Sequence, residues 1–86
     1  MKFEYDENKS ISNKEKHGID FEEAKLVWED EERTEVKTLF STETRYLNIG
    51  KIHDKLFTVV VTYRDDKIRI ISTRRARKKE IEIYES

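Results

Sequence analysis

Polar and apolar positions along this chain change period twice. Phe3 and Tyr5 alternate with charged neighbours, as in a short strand or extended entry. Asp6 can cap a helix running to about His17, with Gly18 at the position after its last turn. Ile11 is the only strong apolar anchor of that helix. A second start is sharper. Asp20 and Glu23 have capping-box spacing, and Ile19 and Ala24 occupy the staple positions around it. Phe21, Ala24, Val27 and Trp28 then fall on one helical face. Acidic residues 29–32 oppose the helix dipole, so the helix is expected to end near Trp28.

From residue 34 the period becomes two. Residues 34–41 place Val36, Thr38 and Phe40 on one face. Residues 45–53 place Leu47 and Ile49 opposite Tyr46 and Ile52, with Gly50 marking a bulge or a close backbone approach. Residues 56–63 are apolar on both faces, which predicts a central strand. A turn at Asp65 and Asp66 leads into residues 67–73. Ser72 or Thr73 then caps a helix over about residues 74–84. The order β-α-α-β-β-β-β-α predicts an α+β fold. It has an antiparallel sheet of about four strands, two N-terminal helices and one C-terminal helix, within a single domain over residues 1–86. One sheet face packs on helices and the other is partly open.

Charge sharpens this picture. Charged residues make up 43% of the chain, yet the net charge is only −1. Residues 1–35 carry 12 acidic and 6 basic side chains, and residues 64–79 carry 8 basic and 2 acidic ones. An acidic end and a basic end therefore average to near neutrality, and the basic end suits a polyanion. With no cysteine there are no disulfides, thiolate metal ligands or cysteine nucleophiles. No signal peptide or membrane span is visible, which makes the cytoplasm the expected location.

No glycine-rich phosphate loop, H-E-x-x-H or nucleophile elbow is present. The remaining chemistry lies in residues 64–84. On a final helix Arg74, Arg77 and Lys78 would cluster at i, i+3 and i+4, beside a row of Arg75 and Lys79. Ala76 and Ile83 read as contacts with the sheet. Glu80 shares their face and needs a partner, either an arginine or Tyr84. Arg64 and Arg69 on the last hairpin could point to the same place. Arginine forks can hold a phosphate and stabilise its transition-state charge. RNA cleavage then needs a proton carrier, for which His17, Glu80 and Tyr84 are candidates. Each has a plainer role: His17 as a helix C-cap, Glu80 as a structural partner of an arginine, Tyr84 as a packing aromatic. The basic row can also be solvated surface or a docking site on a non-catalytic binding module.

These residues together resemble a known family. Residues 69–85 are similar to the pattern R-I-I-S-x-R-x-A-x-x-x-E-x-x-x-Y-E of BrnT toxins. Phe3, Asp6 and Lys9 resemble the opening F-x-W-D-x-x-K, with Tyr5 where tryptophan is usual. Asn13, Lys16, His17, Gly18, Ile19, Phe21, Glu22, Glu23 and Ala24 resemble N-x-x-K-H-G-[VI]-x-F-E-E-A. Ile49 with Gly50, and residues 59–64, also fit. The resemblance implies a RelE-like fold and a ribonuclease that needs no metal or other cofactor and arrests bacterial growth. It implies neutralisation by a BrnA-type antitoxin protein in a heterotetramer, with DNA contacted only through that complex. By position it carries over Lys16, His17, Arg64, Ser72, Arg74, Glu80 and Tyr84 without dividing catalytic from fold-holding roles, and of these His17, Arg64, Arg74, Glu80 and Tyr84 are the expected catalytic residues. Lys16, Arg69, Ser72, Arg77 and Lys78 are expected to contact RNA.

Overall fold

A computed structural model describes residues 2–40 and 42–86. Its elements are β1 (Lys2–Glu4), α1 (Glu7–His17), α2 (Phe21–Ala24), a 3-10 turn (Lys25–Glu29), β2 (Thr34–Phe40), β3 (Glu43–Ile52), β4 (Lys55–Arg64), β5 (Lys67–Arg75) and α3 (Lys78–Glu85). The side chain of Phe40, and Ser41, lie outside the described residues. The class is α+β as expected. The sheet, however, has five strands in the order β1-β5-β4-β3-β2 and is mixed. The added strand is β1, where Phe3 lies opposite Ile68 in a parallel pair. Three residues are too few to show a period, so only the tertiary pairing defines this strand.

Both N-terminal helices begin where their caps predict. The Asp6 carboxylate accepts the backbone N–H groups of Asn8 and Lys9, and Gly18 closes α1 in the left-handed region at φ 76°. Asp20 and Glu23 form the full capping box, and Ile19 and Ala24 are buried beside it. After Ala24 the backbone tightens into the 3-10 turn and stops at Asp30, close to the expected end. The anchor of α1 differs from expectation. Ile11 is 55% exposed, and α1 is fastened by buried polar residues instead. Ser10 Oγ accepts from Phe21 N at 2.9 Å. Asn13 Nδ2 donates to the carbonyls of Ile19 and Thr73 at 2.8 Å, and Asn13 Oδ1 accepts from Thr73 N at 3.2 Å.

The core lies between these helices and one sheet face. Phe21, Ala24 and Val27 meet Val59, Val61, Ile68 and Ile70 there. Burying a side chain such as Phe21 contributes about 1.5–3 kcal/mol. Gly50 marks a close approach rather than a bulge, since a Cβ there would sit 2.9 Å from Val27 Cγ1. β4 is central, as its two-sided apolar pattern predicts. Val60 faces Ser72 while Val61 faces Ile70, so Ile71 is the extra residue of a β-bulge in β5.

The final helix starts later than the sequence suggests. Arg74 and Arg75 continue β5, opposite Thr58 and Phe57, and Ala76 N still donates to Leu56 O at 3.0 Å. Ladder hydrogen bonds with β4 outweigh the helical propensity of residues 74–77. The cap is Arg77, not Ser72 or Thr73. Arg74, Arg77 and Lys78 therefore do not share helical turns. Ala76 is half-buried, and Ile83 is 40% exposed rather than a sheet contact. Helix α3 reaches Thr58, which by strand alternation points away from the core residues Val59 and Val61. Helices thus touch both faces. Beyond α3 the second face is partly open, with Val36, Leu47 and Val60 half-buried.

Two sheet edges outrun their neighbours, and a side chain closes each. β5 extends past β1, and Asn13 pairs with the backbone of Thr73 there. β3 extends past β2, and Asp30 Oδ2 accepts from Lys51 N at 2.8 Å. Unpaired strand edges invite association, and these two contacts remove backbone groups from that risk.

Candidate functional site

The site is best built outward from Glu80. The first turn of α3 presents it to the open face of β4 and β5, where it is 8% exposed. Arg74, near the end of β5, meets it as a two-pronged fork: Nη1 to Oε1 and Nη2 to Oε2, both 2.8 Å. Oε1 also accepts from Thr58 Oγ1 and from Arg77 N, each at 2.8 Å. The Arg74 guanidinium, helped by the Arg77 N–H and the Thr58 hydroxyl against the opposing effect of burial, holds the Glu80 carboxyl down at about 2. A carboxylate so saturated accepts a proton only in strong acid. Its geometry fixes Arg74 rather than leaving Glu80 to move protons. Arg74 retains further N–H groups, since a guanidinium carries more donors than one carboxylate uses.

Strand register orders the other cations. Arg69 lies opposite Thr62, Ser72 opposite Val60 and Arg74 opposite Thr58, all on one face. Arg69 is also within 3.8 Å of Glu4. Arg64 pairs with Lys67 at the far end of the hairpin. It is six residue steps along β4 from Thr58, or about 20 Å at 3.3 Å per residue. Arg64 and Arg74 are therefore too far apart to hold one phosphate together. Arg77 and Lys78 are exposed at the start of α3.

Tyr84, one turn after Glu80 on α3, takes no part in these bonds. Its hydroxyl donates to Asp30 Oδ2 at 2.7 Å, and that carboxylate pushes the phenol up to about 12. Burial pushes the Asp30 carboxyl up, but hydrogen bonds from Tyr84, Lys51 N and Glu32 N more than reverse it. The pair ties the last turn of α3 to the β3 edge.

His17 and Lys16 belong to a second cluster. The Asn13 bonds set one face of α1 against the outer edge of β5. A groove of about 210 Å³ opens there, lined by Lys9, Ser12, Lys16, His17, Ile71 and Ser72. Lys9, Ser12, Lys16 and His17 are all exposed. Neither lysine forms an ion pair among the described residues. No carboxylate lines the groove. The acidic residues of α1, Glu7 and Glu15, line a different pocket beside Ile11 and Asp20. The structure thus brings Lys16, His17 and Ser72 together and, separately, Arg74 with Glu80. Ser72 links the two clusters, two residues from Arg74 on β5.

Three residues were missed in the sequence. Lys9 appeared only in the family opening motif, and the spacing of Lys9, Ser12 and Lys16 at i, i+3 and i+7 could have joined them. Thr58 looked like ordinary strand propensity, and nothing local marked its hydroxyl. Among the described residues no cluster of histidine, aspartate and glutamate could hold a metal ion, and no helix is long and apolar enough to cross a membrane.

A fixed arginine on a sheet face with a cationic groove beside it is chemistry that a phosphate ester can use. The family model described as "Ribonuclease toxin, BrnT, of type II toxin-antitoxin system" matches residues 5–80, and the chain belongs to that family. It is thus a ribonuclease toxin whose partner is an antitoxin protein. No curated protein matches the chain.

Proposed function

We propose that this toxin cuts single-stranded RNA internally, without a metal, by attack of a 2′-hydroxyl on the adjacent phosphate. The new P–O bond forms at the 2′-oxygen, the bond to the 5′-oxygen breaks, and the products are a 2′,3′-cyclic phosphate and a 5′-hydroxyl. Arg74 holds the non-bridging oxygens and stabilises their charge in the transition state. His17 exchanges the proton, imidazole being the side chain suited to this near neutral pH. Glu80 and Thr58 position Arg74. Tyr84 fixes α3. Ser72 lies under the strand, and Arg69, Arg77 and Lys78 guide its flanks, while Arg64 touches only RNA far from the cut. The observation that carries this reading is the bidentate Arg74–Glu80 pair, which presents the guanidinium two residues from a groove containing a histidine.

Growth arrest follows from the cutting of cellular RNA. A BrnA-type antitoxin, assembled with the toxin as a heterotetramer, inhibits by covering Arg74 and the groove. The fold is RelE-like in this reading.

The test is purified chain with naked RNA in the presence of chelator. Wild type should release cyclic-phosphate ends, and Arg74→Ala and His17→Ala should each lower kcat by about 100-fold or more. Undiminished cleavage by folded Arg74→Ala would sink the assignment.

A further inference from the structure

The groove extends beyond what the chemistry uses. Lys9 and His17 are eight residues apart on α1, or about 12 Å along its axis. His17 and Lys16 lie at the end of the groove where α1 terminates, and Lys9 lies two turns away, with Ser12 between them. One phosphate held near Ser72 and Arg74 cannot occupy both ends. We propose that Lys9 and Ser12, completed by Lys16, form a second phosphate subsite. It takes the backbone of a neighbouring nucleotide of the same RNA strand, and the choice of RNA rests on the nuclease reading above.

Three features favour a strand of phosphates over other occupants. The groove has two lysines and no carboxylate, so it is selective for anions. Its hydroxyls, from Ser12 and Ser72, are the groups that bond phosphate oxygens without reading a base. Its floor is already fixed, because Asn13 locks α1 to Thr73 through two hydrogen bonds, with a third to Ile19, and the groove needs no rearrangement to form. An extended single strand can lay successive phosphates along the axis between His17 and Lys9. Arg74 then defines one end of the footprint and Lys9 the other, so the enzyme grips the strand over more than the dinucleotide it cuts.

The test uses a fluorescein-labelled ten-nucleotide 2′-O-methyl RNA, which cannot be cleaved, with anisotropy read over a salt series. Lys9→Ala should weaken binding several-fold. It should also reduce the slope of log affinity against log salt by about 0.7, the value for one phosphate contact on a single strand. Lys9→Arg should keep both. Lys14→Ala removes an equal charge from the same helix, but Lys14 pairs with Glu23 on another face. That variant should bind like wild type. An unchanged slope in Lys9→Ala, or an equal loss in Lys14→Ala, would overturn the subsite. So would a Lys9→Ala chain that binds the strand normally but loses antitoxin, since the groove would then be a protein contact. The nuclease reading fails separately: if wild type leaves all RNA intact while the Lys9-dependent slope persists, the subsite stands and the cleavage assignment falls.

Discussion

Arg74 and the groove cations lie on either side of Ser72 and are held in opposite ways. Arg74 shows 19% of its side chain and has both terminal nitrogens on Glu80, which also binds Thr58 and the start of α3. Lys9, Lys16 and His17 are exposed and take part in no ion pair among the described residues. The first arrangement gives up solvation and side-chain freedom during folding, and so fixes one guanidinium where a developing charge needs it. The second keeps its lysine rotamers loose until a ligand orders them. Substitutions in the first region should therefore register in stability as well as function, and those at Lys9 and Lys16 in ligand affinity alone.

The largest effect should come from acid. The Glu80 carboxyl titrates near 2 in the folded chain, below its ordinary 4.5. Its contribution is fully present above pH 4.5 and disappears as pH falls toward 2. At about 1.4 kcal/mol per pKa unit, the part lost is at most about 3.5 kcal/mol. Glu80→Gln removes this titration, so urea unfolding of the variant should vary less with pH across that window than wild type. It should be less stable than wild type at pH 7, with cleavage reduced because Arg74 loses its charged brace. Parallel pH curves for the two chains would show that Glu80 is not the hub.

Next in size is Asn13→Ala. The change leaves Thr73 N and two carbonyls without their partners, and because these edge groups can turn to water the cost is about 1–3 kcal/mol in all. A urea midpoint should fall accordingly. Because Asn13 seats α1 on β5, affinity for the uncleavable strand should fall too, although Asn13 itself need not touch it. A stable variant with normal binding would mean that the groove forms without this clamp.

What could be read beforehand follows the same division. Helix ends depend on chemistry within four residues, so Asp6, Gly18 and the Asp20–Glu23 box were all legible. The end of β5 was not. Residues 74–77 have helical propensity, and only Phe57 and Thr58, far away in sequence, draw Arg74 and Arg75 into the sheet. That pairing also decided which arginine meets Glu80. The groove was hidden by averaging: residues 1–35 are acidic in sum, but α1 sorts Lys9, Lys16 and His17 from Glu7 and Glu15 by face. The resemblance gathered the site residues into one set, and only the fold separates Arg74 with Glu80 from His17 with Lys16.

The smallest stability effect should belong to Lys16→Ala, and it tests the comparison most directly. Lys16 is exposed near the end of α1, where a cation favours the helix dipole by about 0.3–1 kcal/mol. Alanine has slightly better helix propensity, which offsets part of that loss. The urea midpoint should therefore stay within about 0.5 kcal/mol of wild type. Affinity for the uncleavable RNA strand should nevertheless drop several-fold, with a shallower salt dependence, because a phosphate contact is gone. In cleavage the loss should appear mainly in KM, since Lys16 holds the strand equally before and during reaction. A fall in kcat with KM unchanged would instead place Lys16 against the transition state, and Lys16 would then join His17 in the catalytic set.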